Sequence, residues 1–334
     1  LSDENKVVLH ETVTSNGVSI TIEEIVYDGH RMNVIFSMPT YEDVYPLTIL
    51  VDGEIINTGE SLKSLDEGEV FRGLWEIHFE EELPDAFDLT IKIHQIGRTK
   101  GEWIFSTPIT KVDNNSESLQ AGQTGKVDGI PYTIESVEMS TTSTKIEVAF
   151  EEKLDTLFSV ERMLGVTITD QTGTPLKELD KRGSGDGDKM VYTYLVEPLS
   201  DDVTEIKLMH YFMVASKFNE REEITVELAD TFPQVISQGE MGDMVITNME
   251  KNGQQAILTF HSTSEFAFSD SFTPNNVTVT NEAGESLMTE YPKAIGPNEY
   301  QIAFQLTPGT KLIQTTTIPR MEIEPSAIVT IPVR

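Results

Sequence analysis

Gly129-Ile-Pro-Tyr-Thr-Ile-Glu-Ser-Val137 is the stretch that decides the fold, because this pattern of a glycine followed by a strand is written three times along the chain. The other two copies read Gly17-Val-Ser-Ile-Thr-Ile-Glu-Glu-Ile25 and Gly242-Asp-Met-Val-Ile-Thr-Asn-Met249. The three glycines are 112 and 113 residues apart, which is the length of one small β-sandwich domain. The repeat therefore predicts three similar domains in tandem.

Further strands recur inside each copy at nearly constant offsets. An apolar pair three residues apart precedes an alternating strand that ends on an aromatic residue, and a later aromatic strand is stopped by proline. Alternation with a period of two puts the apolar side chains on one face of a sheet and the polar ones in water. The predicted core positions are Ile22, Ile25, Met32, Val34, Phe36, Trp75, Ile77 and Phe79 in copy one, Ile134, Val137, Ile146, Val148, Phe150, Tyr192, Tyr194 and Val196 in copy two, and Ile246, Met249, Ala256, Leu258, Phe260, Tyr300, Ile302 and Phe304 in copy three.

The number of such segments predicts an all-β chain of three tandem immunoglobulin-like or fibronectin-like β-sandwich domains, with about seven strands in each. Their predicted bounds are 1–113, 114–230 and 231–334. Segments 103–105, 224–228 and 328–333 are the predicted closing strands of the first, second and third domains. The polar segment 111–125 and the shorter segment 229–239 are the predicted linkers.

Composition excludes several classes of function. A chain of 334 residues is too long for one hydrophobic core and suits three domains. With 56 acidic and 24 basic side chains the net charge is −32, which repels nucleic acid and anionic polymers and, scattered as it is, favours solubility. The chain has no cysteine, so disulfides, zinc-thiolate sites and thiol catalysis are excluded, and the composition fits a Gram-positive cell surface better than an animal one.

The sequence contains no apolar run near the roughly 20 residues that a membrane helix needs, and no signal sequence opens it. Its first residue is Leu1 and not methionine. The expectation is a processed fragment or a fragment of a larger protein, whose anchor lies upstream of Leu1.

Two stretches resemble known families. Residues 17–29, followed by the strand to Phe36, resemble the opening of an extracellular domain of unknown function in membrane-anchored proteins of bacilli and related Firmicutes, including anti-sigma factors. Residues 124–137, together with 143–148, resemble the companion domain that often follows it. The resemblance implies a location on the extracellular face of the membrane and a sensory or regulatory role. Its motif consists of strand and turn positions, so it implies no catalytic residues.

Candidate metal sites are weak. The six histidines are His10, His30, His78, His94, His210 and His261, and none shows a metal-ligand spacing. His78 and His94, on the exposed faces of two strands expected to pair, could hold zinc with Glu76, but solvated histidines are the preferred interpretation. Residues 183–188 carry two aspartates on a glycine frame, without the ligand series that calcium needs, and are interpreted as a long hairpin loop.

Acidic runs at 66–69, 80–82 and 200–202 offer carboxylates for a glycosidase-like pair, but nothing in the sequence distinguishes one acid from another. Serine nucleophile elbows and phosphate-binding loops are missing from the sequence. Most of the scattered aromatic residues are interpreted as core or interdomain packing instead of a carbohydrate platform: Tyr41, Tyr45, Trp103, Tyr211, Phe212, Phe266 and Phe268. The sequence therefore predicts no catalytic residue, no cofactor-binding residue and no metal ligand.

Three functions remain open. The first is a sensory or regulatory ectodomain, whose full-length protein has a membrane helix and a cytoplasmic segment. The second is a surface adhesion or spacer array that binds a wall polymer or a protein. The third is a secreted hydrolase, which requires a deep pocket of convergent acids, and the even repeat argues against it. We expect a non-enzymatic chain with no cofactor, no nucleic-acid partner and an unidentified protein or cell-wall ligand.

Overall fold

The structure, a computed structural model, describes residues 7–40, 42–44, 47–67, 70–79, 83–112, 117–140, 142–152, 162–186, 189–214, 216, 220–264, 266, 276–289, 291–318 and 324–334. Contacts divide the chain into two compact units. One unit holds Leu1–Ser116 together with Ser140–Thr142, and the other holds Glu117–Met139 together with Ser143–Arg334. Every strand pair in the described part of the chain is antiparallel.

The first unit is one sandwich of two sheets. Its strands are β1 (Val7–Ser15), β2 (Val18–Tyr27), β3 (Arg31–Met38), β4 (Leu47–Val51), β5 (Glu54–Ile55), β6 (Thr58–Glu67), β7 (Phe71–Phe79), β8 (Ala86–Ile96) and β9 (Thr99–Thr110). One sheet has the order β1-β2-β3-β7-β6, and the other has the order β5-β4-β8-β9. Their facing side chains form one core, in which Phe36 stacks on Trp75 with ring centroids 3.9 Å apart. All strands of this sandwich follow one another in the chain.

The second unit contains two sandwiches. Its strands are β10 (Glu117–Gln120), β11 (Thr124–Val127), β12 (Ile130–Met139), β13 (Thr144–Phe150), β14 (Arg162–Asp170), β15 (Glu178–Asp186), β16 (Lys189–Val196), β17 (Glu205–Val214), β18 (Glu223–Glu227), β19 (Gln234–Ser237), β20 (Asp243–Asn252), β21 (Gln255–Ser262), β22 (Val277–Asn281), β23 (Lys293–Gly296), β24 (Glu299–Gln305), β25 (Lys311–Thr316) and β26 (Ile328–Pro332). The second sandwich has the sheets β10-β12-β13-β16-β15, with β11 also on β12, and β14-β17-β26. The third has the sheets β19-β20-β21-β24-β23 and β18-β25-β22.

The strands predicted to close the second and third domains each belong to the other sandwich. Segment 224–228, predicted to close the second domain, lies largely in β18, which pairs with β25 of the third sandwich. Segment 328–333, predicted to close the third, lies largely in β26 and pairs with β17 of the second sandwich. Both predictions were wrong because the two segments carry the same alternating pattern, and alternation does not specify a distant partner. The third sandwich is thus inserted between β17 and β26.

The predicted linkers are also partly strands. Residues 117–120 and 124–127 form β10 and β11, which both pair with β12, and residues 234–237 form β19, which pairs with β20. Polar composition indicated an exposed joint, whereas these short strands lie at sheet edges, where polar residues are also expected.

The all-β sandwich fold is confirmed, and the predicted core positions are buried, apart from Met249, which packs half-buried against the third core. The repeated glycines have a structural reason: Gly17 and Gly129 have φ of +82° and +77°, in the left-handed region that other residues rarely adopt. In the part of the chain that the structure describes, no helix is long and apolar enough to cross a membrane.

Candidate functional sites

A tight turn positions a charged side chain at the start of β3. The Asp28 carboxylate accepts hydrogen bonds from the backbone amides of His30 and Arg31, each 2.8 Å from Oδ1. Aspartate favours such local bonding, and Gly29, at φ +92°, supplies the backbone conformation that the turn needs. The turn therefore fixes the point at which the Arg31 side chain leaves the backbone.

Arg31 lies buried between two carboxylates. Its Nη1 donates to Glu76 Oε1 at 3.2 Å, and its Nε is 3.8 Å from Asp28 Oδ2. Its Nη2 donates to the carbonyl oxygen of Thr142 at 3.3 Å, and the Thr142 hydroxyl donates to Asp28 Oδ2. Buried charges persist when they are paired and hydrogen-bonded, and here the partners of the guanidinium all lie inside the unit.

Glu76 completes this network from β7. Its Oε2 accepts a hydrogen bond from Ser61 Oγ at 3.1 Å and pairs with the Lys63 ammonium, whose side chain is about half-exposed. We call the set the Arg31 cluster; it consists of Asp28, Arg31, Ser61, Lys63, Glu76 and Thr142. Since both oxygens of Glu76 are engaged by these partners, its carboxylate is suited to holding strands together and not to proton transfer with a substrate.

The zinc pair that the sequence offered as the less favoured alternative does not form. His78 lies on β7 and His94 on β8, and these strands belong to different sheets. His78 and Glu76 are buried, at 6 % and 4 % exposure, so the expectation that they face water was wrong. The prediction from alternation fails at Glu76 because its ion pair with Arg31 offsets the cost of burying the carboxylate. Among the described residues, no group of three histidine, aspartate or glutamate side chains is arranged to hold a metal ion.

A second polar group lies inside the core of the second sandwich. His210 of β17 is fully buried, and its Nε2 lies 3.0 Å from the Tyr194 hydroxyl. The rings of Tyr132 and Phe150 pack edge-on against the imidazole, with centroids 4.5 Å and 5.4 Å away. Burial lowers the pKa of His210 from 6.5 to about 3, and the nearby Lys181 adds to the effect. The imidazole is therefore neutral in the folded protein at every ordinary pH.

Lys181 borders the same core from β15. Burial lowers the pKa of this ammonium group, which donates to the carbonyl oxygen of Leu164 at 2.6 Å. The nitrogen also lies 5.4 Å and 5.7 Å from the ring centroids of Tyr192 and Tyr194, within the range of cation–π attraction. We call this group the His210 cluster; it consists of Tyr132, Phe150, Lys181, Tyr192, Tyr194 and His210. Reasoning from the sequence missed it, although the alternation of Ile206, Leu208 and His210 along β17 places the histidine on the inward face.

The acidic runs do not form a catalytic pair in the described residues. Residues 183–186, predicted to be loop, continue strand β15 and pair with β16, while 187 and 188 lie outside the described residues. Asp202 accepts from Ser200 Oγ at 2.6 Å in an exposed turn, and this bond lowers the pKa of the aspartate. At 66–69, residues 66 and 67 end β6, whereas 68, 69 and the run 80–82 lie outside the described residues.

Most of the described aromatic candidates serve packing. Trp103 is fully buried in the first core and donates from Nε1 to the carbonyl oxygen of Val18 at 2.9 Å. Tyr211 and Phe266 pack edge-on, with centroids 5.0 Å apart, and Phe212 lies under the Arg162 guanidinium at 4.1 Å. The other three, Tyr41, Tyr45 and Phe268, lie outside the described residues.

Two open depressions were found on the second unit. One lies at the end of the third sandwich and is lined largely by amides, including Asn252, Gln254, Gln255 and Gln305. The other lies on the β15–β16 hairpin beside Ser184 and Lys189. Among the residues that the structure describes, no acid lines either depression.

Comparison with known proteins finds a family similar to the middle of the chain and a solved structure with a similar fold. Residues 116–241 match the model of a family of unknown function, DUF5643, and no curated protein matches. A solved structure described as the conserved domain protein from Bacillus anthracis aligns with a TM-score of 0.52 and 18% identity, covering 68% of this chain and 82% of that one. The I9–I11 tandem of titin covers 84% of this chain and 85% of its own length at 8% identity, but its TM-score of 0.16 is too low to support an argument.

The matched family range agrees with the position at which the second copy resembles a companion domain of unknown function. It ends within the third sandwich and does not include β26, the strand that completes the second sandwich. The comparisons therefore show that residues 116–241 are similar to a family of unknown function and that the fold resembles that of a bacterial protein.

Proposed function

We propose that this chain is the non-enzymatic extracellular region of a membrane-anchored bacterial protein and serves as its sensory or regulatory ectodomain, as in an anti-sigma factor. The observation that carries the proposal is the use of the buried polar groups. The Arg31 guanidinium pairs with Asp28 and Glu76 of the first sandwich, and His210 Nε2 lies 3.0 Å from the Tyr194 hydroxyl of the second. Both groups therefore take these partners from their own sandwich, as structural groups do and as groups that must meet a substrate do not.

Three further points support the proposal. The resemblance of the first two copies is to extracellular domains behind a membrane anchor. The match of residues 116–241 to a family of unknown function falls on the second of these copies. The net charge of −32 and the absence of cysteine suit a folded domain at a Gram-positive surface, where it is repelled by anionic wall polymers and remains free to meet a protein partner.

Localisation in the source cells tests the proposal first. Intact cells are treated with a protease that does not cross the membrane, and the full-length protein is followed in the membrane fraction with antibodies raised against residues 1–334. We expect loss of this region while a cytoplasmic control protein survives, together with a protected fragment that contains the anchor. Survival in intact cells and digestion only after lysis would contradict an extracellular location.

The regulatory role needs a separate measurement. The protected fragment is purified under native conditions and its bound proteins are identified by mass spectrometry. A co-purifying sigma factor, with altered transcription of its target genes when residues 1–334 are deleted, is the expected result. Release of the protein into the medium without an anchor, together with binding to wall material or to another surface protein, would instead favour the adhesion or spacer function.

A further inference from the structure

One end of the outer face of the β14–β17 sheet is apolar. Residues along β17 alternate, so that Ile206 and Leu208 face the core while Met209, Tyr211 and Met213 face outward. Met163 of β14 is paired with Met213 in the strand register and adds to the same face. An exposed sheet face would be expected to carry polar residues, so this face requires a cover.

The inserted third sandwich provides this cover. Met241, Phe266 and Ile318 pack with the outward residues of β14 and β17 in one cluster, separate from the three sandwich cores. Tyr211 is only 4 % exposed, and burial raises its pKa. A Cβ at position 165 would lie 2.3 Å from the Tyr211 ring, so glycine there leaves the space that the ring fills. We call this contact the methionine junction; it consists of Met163, Met209, Tyr211, Met213, Met241, Phe266 and Ile318.

Sulfur is concentrated at this contact. The chain has twelve methionines and no cysteine, so its only oxidisable sulfur atoms are thioethers. Four of the twelve meet at the junction, and three of these, Met163, Met209 and Met241, are only partly buried. By contrast, Met32, Met190 and Met244 are almost completely buried in the cores. An oxidant in solution therefore reaches the sulfur atoms of the junction before those of the cores.

We propose that the methionine junction is an oxidation site. Its reaction with a peroxide or a hypohalite controls whether the third sandwich stays packed on the β14–β17 sheet. One oxygen atom of the oxidant is transferred to the thioether sulfur, which loses two electrons and becomes a sulfoxide. A peroxide is thereby reduced to water or an alcohol, and a hypohalite is reduced to a halide ion. The sulfoxide is polar and requires hydrogen bonds that an apolar contact does not supply. Oxidation therefore weakens the junction and exposes the outer face of β14 and β17. The proposal is independent of the proposed function.

The test uses the full chain and hydrogen peroxide. Peptide mass spectrometry over time gives the oxidation rate of each methionine, and we expect Met163, Met209 and Met241 to react about tenfold faster than Met32 and Met244. Tyrosine nitration then reports undocking. Tyr211 should gain nitration only after oxidation, whereas the exposed Tyr291 should be nitrated in both states and the buried Tyr27 in neither.

Matched variants separate junction chemistry from general damage. The triple variant Met163→Leu, Met209→Leu and Met241→Leu keeps apolar side chains of similar volume but cannot be oxidised at these positions. In this variant peroxide should leave Tyr211 protected, whereas the control variant Met249→Leu with Met288→Leu, altered at half-buried methionines of the third sandwich, should respond as the parent does. Methionine sulfoxide reductase with a dithiol should restore protection of Tyr211 in the parent.

Two results would overturn the proposal. One is full oxidation of Met163, Met209 and Met241 with Tyr211 still protected. The other is equal nitration of Tyr211 in the oxidised parent and the peroxide-treated triple leucine variant, because the exposure would then arise elsewhere.

Discussion

The first and second sandwiches begin with the same strand pattern but are completed differently. All nine strands of the first lie between Val7 and Thr110, in chain order. The second lacks one strand until Ile328–Pro332 returns to pair with β17, after the entire third sandwich has been formed from the intervening chain. Local repetition of a sequence pattern therefore does not make a domain independent: the first sandwich closes with nearby strands, whereas the second depends on the C-terminal end of the chain.

The two sandwiches also differ in how they accommodate buried polar groups. The first keeps Arg31 and Glu76 as a paired arginine and carboxylate below 10 % exposure. The second buries His210 without a counter-ion, against aromatic rings and the Tyr194 hydroxyl, and the imidazole is neutral as a result. Pairing makes the first sandwich sensitive to the loss of a partner. Neutralisation makes the second sensitive to acid.

Removing residues 328–334 should have the largest effect. The second core would lose Val329, Ile331 and Val333, and burial of side chains of this size contributes about 1.5–3 kcal/mol each. We expect the second sandwich to lose its stable fold while the third, whose strands all lie between Glu223 and Thr316, keeps its own. Hydrogen exchange measured by mass spectrometry should show loss of protection in β12–β17 and retained protection in β20–β25.

The opposite pattern, with the third sandwich unfolded and the second protected, would show that β26 belongs to the third sandwich, as the sequence predicted. A point substitution supports the assignment without shortening the chain. Ile331→Ala should destabilise the second sandwich by about 2–5 kcal/mol, and Ile224→Ala in β18 should instead affect the third sandwich.

Glu76→Ala should destabilise the first sandwich by about 3–5 kcal/mol, because Arg31 then remains buried without its principal partner. Both tryptophans of the chain, Trp75 and Trp103, lie in this sandwich, so urea unfolding followed by tryptophan fluorescence reports on it selectively. Lys63→Ala is the matched control. Because its ammonium is about half-exposed, removing it should cost less than about 1 kcal/mol.

The double variant Arg31→Met with Glu76→Leu completes the cycle. It removes the buried guanidinium together with Glu76. Asp28 loses its cationic partner but still accepts hydrogen bonds from the backbone amides of residues 30 and 31 and from the Thr142 hydroxyl. The double variant should therefore be closer in stability to the parent than Glu76→Ala, which leaves the guanidinium buried without its principal partner. Equal losses in the single and double variants would mean that packing, and not charge pairing, explains the effect of Glu76.

Acid should act on the second sandwich through His210. The unfolded chain binds a proton near pH 6.5, whereas the folded imidazole does so only near its pKa of about 3. Above pH 6.5 the imidazole is neutral in both states and does not reduce the free energy of unfolding. As pH falls from 6.5 towards 3, protons bind the unfolded chain first, so this free energy falls by up to about 1.4 kcal/mol per pH unit. Stability of the second sandwich should be measured by hydrogen exchange across this range.

Two aromatic substitutions isolate this effect. His210→Phe with Tyr194→Phe removes the titrating group without leaving the tyrosine hydroxyl unpaired, so the slope should flatten by about one proton. Substitution of His94, which lies in the first sandwich, should leave the slope of the second unchanged. A slope that persists in the double variant would assign the acid sensitivity to other groups.

Alternation in the sequence predicted most of the core but not how the chain is connected. Ile22, Val34 and Phe36 are fully buried as predicted, because an apolar residue at every second position fixes the inward face of a strand wherever that strand pairs. The partner of β26 could not be found in this way, since pairing depends on contacts between residues far apart in the chain. Alternation predicted that Glu76 is exposed, because it occupies an outward position of β7. The sequence pattern does not reveal that Arg31 of the neighbouring strand β3 is buried beside it.

Two tyrosines give the smallest and most specific test of the comparison. In the first sandwich, the Tyr27 hydroxyl donates to the carbonyl oxygen of Leu83 at 3.2 Å, across 56 positions of the chain. In the second, the Tyr132 hydroxyl donates to the carbonyl oxygen of Ala327 at 3.0 Å, across 195 positions, at the 3₁₀ turn that leads into β26. Burial raises the pKa of Tyr132, so its hydroxyl keeps the proton that it donates.

Tyr27→Phe and Tyr132→Phe should each cost about 1 kcal/mol of stability in their own sandwich, because each removes one hydrogen bond, part-buried at Tyr27 and buried at Tyr132. Only Tyr132→Phe should also increase hydrogen exchange in β26, since of these two hydrogen bonds only the one from Tyr132 is made to the segment that leads into β26. Unchanged exchange at Val329 and Ile331 would show that β26 is retained by its pairing with β17 and its core side chains alone. Faster exchange there would make the Tyr132 hydroxyl one of the contacts by which the second sandwich holds a strand from beyond the third.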